Sequence, residues 1–148
     1  MTIREACAGD AADLYELYFY HLTALPGELP APEDFAELLG RLIARPDYHI
    51  LIAEEDGRAV SSVTLVVIPN LTHNLRPYAL IENVVTHADY RGRGLACALM
   101  ERAKIIAREA GCYKIMLMTG SKKDSTLRFY EKCGFDRHSK TGFQYRME

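Results

Sequence analysis

The sequence lacks a long apolar run, a basic excess and paired cysteines, and each absence removes a class of function. No stretch approaches the ~20 consecutive apolar residues of a membrane-spanning helix, so no membrane partner is expected. Lys and Arg total 18 against 20 Asp and Glu, a net charge of −2. A nucleic-acid binder ordinarily carries a basic excess, so no nucleic-acid partner is expected either. Cys7, Cys97, Cys112 and Cys133 are scattered, with no C-x-x-C pair. That argues against a thiolate zinc site, leaves no metal expected, and makes a reducing cytoplasm the expected compartment. The start, Met1-Thr2-Ile3-Arg4-Glu5, does not show the basic-then-apolar order of a signal peptide.

What is present is an ordinary globular balance, 49% apolar and 26% charged over 148 residues. That length suits a single domain, residues 1–148, able to bury a core without disulfide or metal staples. Thr2–Ala6 reads as a short strand. Asp10 can cap a helix running to about His21, with Leu14, Leu17 and Tyr18 at helical spacing. The segment Leu25-Pro26-Gly27-Glu28-Leu29-Pro30-Ala31-Pro32 breaks it. A second helix is expected over Glu33–Ala44, with Phe35, Leu38, Leu39, Leu42 and Ile43 on one side, ended by Pro46.

His49–Glu54 and Ala59–Ile68 read as strands joined at Glu55-Asp56-Gly57, a hairpin signal. Pro69–Pro77 is a polar loop, and Tyr78–Thr86 is the next strand. A helix follows Asp89 to about Ala110, closed by Gly111. Its stripe is Leu95, Ala96, Leu99, Ala103, Ile106, Ala107 and Ala110. Cys112–Thr119 reads as a buried strand and Ser125–Lys132 as a short helix. Phe135–His138 and Phe143–Met147 can supply two last strands. The expected architecture is therefore α/β (α+β), a mixed sheet of about seven strands flanked by about four helices.

The most informative segment runs from Ile81 through Thr86 to Arg91-Gly92-Arg93-Gly94-Leu95-Ala96. A strand ends and two glycines open a helix. The first turn of a helix has amides with no internal partner, and its dipole favours an anion there. Arg91 and Arg93 add positive charge, and Leu95 and Ala96 allow close packing beneath a ligand. A bare Gly-x-Gly equally describes a strand-to-helix turn with solvated arginines. The Rossmann pattern fails, because Cys97 holds the third glycine position and Met116, Leu117 and Met118 stand where an acidic residue would be needed. No Gly-Lys-Ser/Thr follows, so a P-loop is excluded too.

The segment resembles the signature of the GNAT N-acetyltransferases, Arg/Gln-x-x-Gly-x-Gly/Ala, through Arg91, Gly94 and Ala96. Glu82-Asn83-Val84-Val85-Thr86 is similar to that family's cofactor-facing strand, and Tyr130-Glu131-Lys132-Cys133-Gly134-Phe135 to its Tyr-x-x-x-Gly-Phe end motif. Gly111–Ile115 and Phe129–Phe135 look particularly like glucosamine-6-phosphate N-acetyltransferases. Those enzymes tend to carry an acidic residue where Asn83 stands, and Asp or Cys where Met118 and Thr119 stand. The insertion Gly120–Asp124 differs as well. Lys123 occupies a position where many members place a cofactor-touching Asn.

The resemblance implies a GNAT-like fold and acetyl-CoA as cosubstrate, its pyrophosphate held by Arg91, Gly92, Arg93, Gly94, Leu95 and Ala96. A bulge in the preceding strand would free backbone groups of Val84 and Val85 for the pantetheine and the thioester carbonyl. The acetyl group passes directly to a primary amine in a ternary complex. An alkyl ammonium, with a pKa near ~10.4, must first lose a proton. Glu82 is the candidate base, sharing a side of the sheet with Val84 by the period of two, or else a merely structural carboxylate. Tyr130 matches the family's general acid for the leaving thiolate, or is a buried structural tyrosine.

His73, Asn83 and Thr119 are candidate substrate contacts. His87 reads as a loop or capping residue, with a base the alternative. Lys122 and Lys123 suit either the 3′-phosphate of coenzyme A or a solvated turn. The expected partner is a small-molecule amine, and the family resemblance implies a homodimer. A protein or peptide amine acetyltransferase and a non-catalytic acyl-CoA-binding module are the competing readings.

Overall fold

A computed structural model describes residues 1–22 and 27–147. The chain divides into two compact units, Met1–Leu117 and Met118–Glu148. In the first, five strands form one sheet in the order β1-β2-β3-β4-β5. They are β1 (Thr2–Glu5), β2 (Tyr48–Glu55), β3 (Arg58–Ile68), β4 (Tyr78–Thr86) and β5 (Ile115–Leu117). The first four pair antiparallel, and β5 lies parallel to β4. The expected hairpin forms, with Asp56 at φ 51° and Gly57 at φ 77°, the two left-handed residues that a tight twisted turn demands.

The helices of this unit are α1 (Ala11–Glu16), α2 (Pro32–Ile43) and α3 (Leu95–Glu109). Alternation along β2 sends Ile50 and Ile52 to one face, where Leu14, Leu17, Leu39 and Val85 join them. Leu51, Ala53, Val63, Leu65 and Ile81 have the opposite parity and are fully buried or nearly so. That other face receives α3, through Leu95, Leu99, Met100, Ala103, Ile106 and Ala107. Gly111, at φ 80°, ends α3 as expected.

Several expectations are corrected. Asp10 stands at the N-cap position of α1, but its side chain makes no capping bond to that helix. It ends a 3-10 turn, Ala8–Asp10, and reaches back to the Cys7 amide at 2.7 Å. Arg4 holds its carboxylate at 2.8 Å and also grips Glu54 across the strands. Leu38 points outward from α2 and Ala110 is exposed, whereas Met100 is core. Asp89 lies in a 3-10 turn, Ala88–Tyr90, so α3 starts only at Leu95. After α1 the helix widens into a π turn, Leu17–His21, with Leu22 N donating to Leu17 O at 3.0 Å. Leu25 and Pro26 of the expected breaker lie outside the described residues.

The strand expected over Cys112–Thr119 shortens to Ile115–Leu117, since it pairs with β4 at three positions. In the second unit, α4 (Asp124–Lys132) replaces the expected helix with one extra residue. Neither Phe135–His138 nor Phe143–Met147 forms a strand, so the sheet has five strands rather than about seven. Phe143, Tyr145 and Met147 keep their alternation but are exposed. A period of two needs a neighbouring strand to become a ladder. No helix among the described residues is long and apolar enough to cross a membrane.

Candidate active site

The sheet opens along β4. Its pairing with β5 ends at Ile81↔Leu117, although β4 continues to Thr86. Among the described residues no strand pairs with that side of β4 beyond Ile81. At the same place the ladder with β3 jumps, from Thr64↔Glu82 to Ser62↔Val85, so Asn83 and Val84 together oppose Val63. This is the bulge that the resemblance implied. Asn83 adopts φ 51°, a left-handed conformation that asparagine tolerates better than most side chains.

The bulge also breaks the period of two. Thr64 and Ser62, two apart on β3, share a face, so Glu82 shares its face with Val85 rather than with Val84. Val85 packs into the core beside Ile52 and Leu17, and its carbonyl accepts a hydrogen bond from Ser61 Oγ at 2.9 Å. Glu82 and Asn83 are exposed. Glu82 has no ion-pair partner among the described residues.

A polar strip crosses this face, which the sequence reading did not identify. Ser62 and Thr64 are completely buried, and the Tyr18 hydroxyl lies 3.5 Å from Ser62 Oγ. Burial pushes the Tyr18 phenol up, partly offset by hydrogen bonds from Ser62 and Thr64. Burial also raises the Tyr48 phenol, and the charge of Glu82 raises it further. The available signal was the polar Ser61-Ser62-x-Thr64 inside an otherwise apolar strand.

Beyond β4 the chain makes the 3-10 turn and then Arg91-Gly92-Arg93-Gly94. Gly92 and Gly94 stand at φ 76° and 77°, so both glycines are required by the backbone. The first bond back into α3 runs from Ala98 N to Gly94 O at 3.0 Å. The amides of Leu95 and Ala96 precede it and remain available to an anion. Both guanidinium groups brace the turn. Arg91 donates to Thr86 O at 3.2 Å and to His21 O at 3.0 Å. Arg93 lies against Glu55 at 3.4 Å, donates to Asp89 O at 3.2 Å and covers the Tyr90 ring.

The structure therefore brings Glu82, Asn83, Val84 and Val85 onto the open stretch of β4, directly before the turn of Arg91, Gly92, Arg93, Gly94, Leu95 and Ala96. It does not bring His73 there. His73 precedes β4 whereas the turn follows it, and its ring stacks on Tyr113 at 3.8 Å. His87 is a cap, accepting the Asp89 amide at Nδ1. Thr119 and Tyr130 belong to the second unit. There Thr119 Oγ1 accepts from Ser121 N at 3.2 Å, and Tyr130 lies in α4 with its carbonyl accepting from Phe135 N at 3.1 Å. Lys123 is the residue that precedes α4.

Comparison with known proteins gives one consistent result. The model of the family described as Acetyltransferase (GNAT) matches residues 11–135. A glucosamine 6-phosphate N-acetyltransferase of Trypanosoma brucei brucei is 42% identical over 84 residues, covering 57% of this chain and 55% of that protein. This match thus spans about half the length of that relative. Glucosamine 6-phosphate N-acetyltransferase 1 of Dictyostelium discoideum is 32% identical over 108 residues, 71% of this chain and 67% of that protein. The solved structure of a candidate acetyltransferase from Agrobacterium tumefaciens superposes with a TM-score of 0.89 at 42% identity, covering 99% of this chain and 100% of that one.

Proposed function

Since the chain belongs to the acetyltransferase (GNAT) family, we propose that it transfers the acetyl group of acetyl-CoA directly to the primary amine of a small molecule. The observation that carries this reading is the juxtaposition on β4. A bulged stretch with an open edge leads into an amide-lined helix start, and an exposed carboxylate with no ion pair among the described residues sits on the same stretch. The donor set fits the cosubstrate: unpaired helix-start amides suit a diphosphate, and an open strand edge suits the amides of a pantetheine arm. When bound, acetyl-CoA supplies an activated thioester.

This chain's residues do the rest. Leu95, Ala96 and the Arg91–Gly94 turn hold the diphosphate, with Arg91 and Arg93 keeping the turn in shape. The backbone of Val84 and Val85 orients the thioester and polarises its carbonyl. Glu82 takes the proton from the acceptor ammonium, directly or through a water. Asn83, set outward by the bulge, contacts the acceptor. Tyr130 donates to the departing sulfur, a role assigned on its Tyr-x-x-x-Gly-Phe motif. A phenol is protonated at neutral pH and can serve as that donor.

A phosphorylated amino sugar is the first acceptor to test, because two similar proteins are named for glucosamine 6-phosphate. A cytoplasmic homodimer completes the proposal. The test is thiol release from acetyl-CoA over a panel of glucosamine 6-phosphate, polyamines, aminoglycosides and lysine peptides. Release with a small amine supports the reading. Release with peptides alone transfers the activity to protein substrates. Tight acetyl-CoA binding without release under any amine reduces the chain to a binding module.

A further inference from the structure

Next to the turn lies a cluster that the proposed chemistry does not use. The His21 and His87 rings lie 4.0 Å apart at 35°, one from the π turn after α1 and one from the end of β4. His21 Nδ1 accepts the Ala88 amide and His87 Nδ1 accepts the Asp89 amide, both at 3.2 Å. Both Nε2 atoms face Glu16 Oε1, at 3.7 Å and 3.4 Å. The other oxygen of Glu16 is held by Arg58 Nη2 at 2.8 Å, and Arg58 also reaches Asp13.

A neutral imidazole has one N–H and one lone pair. Each Nδ1 here accepts a backbone N–H, so each proton sits on Nε2 and is directed at Glu16. The ligand atoms of Glu16, His21 and His87 all lie within 4.8 Å of one another, a spacing that a divalent cation could bridge. Coordination through Nε2 would move each proton to Nδ1, against the amide of Ala88 or Asp89. The tautomers favour the hydrogen-bonded arrangement over a metal.

The two amides so held belong to Ala88–Tyr90, the segment that delivers Arg91–Gly94 to the start of α3. Arg91 closes the loop from the other side by donating to His21 O. We propose that neutral His21 and His87, oriented by Glu16, are positioning residues that latch the Arg91–Gly94 turn in the form that binds the diphosphate. This rests on the reading of that turn as the acetyl-CoA site. Protonation of either ring makes its Nδ1 a donor and opens the latch. The charged groups facing the pair are Glu16 and Arg58, with Asp13 behind Arg58, Asp89 at 3.9 Å from His87 Nδ1, and Arg91 over the His21 carbonyl. The Tyr90 ring packs edge-on against His87.

Asparagine and glutamine separate the two ring nitrogens. Asparagine carries an acceptor near the Nδ1 position and loses the contact to Glu16. Glutamine reaches Glu16 and loses the Nδ1 acceptor. His21→Gln and His87→Gln should each weaken acetyl-CoA binding about two- to tenfold at pH 8, the range of one neutral hydrogen bond, with kcat changed less than KM. The corresponding Asn variants should recover most of that affinity.

Amide exchange of Ala88 and Asp89 in the protein alone reads the latch without cosubstrate, with faster exchange expected in the Gln variants than in the Asn ones. Equal effects of the Asn and Gln variants on binding, or on the exchange of these amides, overturn the latch. So does zinc binding that disappears in Glu16→Gln, since it requires the opposite tautomers. Failure of the natural protein to bind acetyl-CoA at pH 8 would instead overturn the family-based reading, and the exchange data would still decide the latch.

Discussion

Glu54 on β2 and Glu82 on β4 are two carboxylates of one sheet in opposite surroundings. Glu54 is gripped by Arg4, which also holds Asp10, so the β1 side of the sheet is closed by ion pairs. Glu82 stands where β4 has lost its β5 neighbour and where the ladder with β3 slips. It is exposed, and its electrostatic influence reaches Tyr48. Strand glutamates are usually structural. The difference here is one of surroundings: Arg4 occupies one carboxylate, and the other stands exposed where the ladder around it stops.

The largest test of that contrast is a pair of isosteric changes. Glu82→Gln should lower kcat about a hundredfold, the usual size of a general-base contribution, and leave Tm nearly unchanged. Glu54→Gln should do the reverse, costing about 1 kcal/mol and ~2–4 °C in Tm with kcat intact. If both variants lose only stability, Glu82 is structural and the contrast fails. Tyr130→Phe extends the test to the second unit. Its kcat should fall at least about tenfold while acetyl-CoA binding changes little, and unchanged turnover would remove Tyr130 from the mechanism.

A smaller effect probes the bulge itself. Asn83→Val places a β-branched residue at φ 51° and should cost about 1–2 kcal/mol, read by urea unfolding, together with weaker acetyl-CoA binding. Asn83→Gly should restore binding, because glycine accepts that conformation. Recovery in neither binding nor stability would show that the asparagine side chain, not the bulge, matters.

The closed side of the sheet should also fail in acid. Burial opposes ionisation of Asp10, yet hydrogen bonds from Arg4 and the Cys7 amide hold its carboxyl below the ordinary value. A depressed carboxyl stabilises the fold above the unfolded value of about 4, and that contribution is lost as pH falls through the folded one. Asp10→Asn should therefore flatten the acid limb of a Tm–pH curve. The smallest effect is spectroscopic. Glu82→Gln should lower the Tyr48 phenol titration by removing a neighbouring charge, though burial keeps it above the ordinary value.

Legibility differed by region for physical reasons. The Asp56-Gly57 hairpin and the Gly92 and Gly94 turn were readable because positive φ is a local demand that few residues meet. Neither Phe135–His138 nor Phe143–Met147 forms a strand, and the alternation of Phe143, Tyr145 and Met147 carries no information about a neighbouring strand. Glu82 could be nominated from its motif, but its face could not be read, since one inserted residue at Asn83–Val84 reverses the parity. His21 was legible only as the approximate end of the first helix, and the π turn brings its ring against His87.

By itself the sequence determined short-range features: that the main helices exist over roughly these spans, that Asp56-Gly57, Gly92 and Gly94 turn left-handed, and that a glycine-rich helix start follows a strand. Those rest on dihedral preferences and spacing within a few residues. Only the tertiary structure decided which carboxylate is paired, where the ladder slips, and which ring nitrogens face the turn. Arg4 and Glu54 are separated by 50 positions, and His21 and Ala88 by 67. Such partners meet only when the sheet and helices pack, and no local pattern encodes their choice.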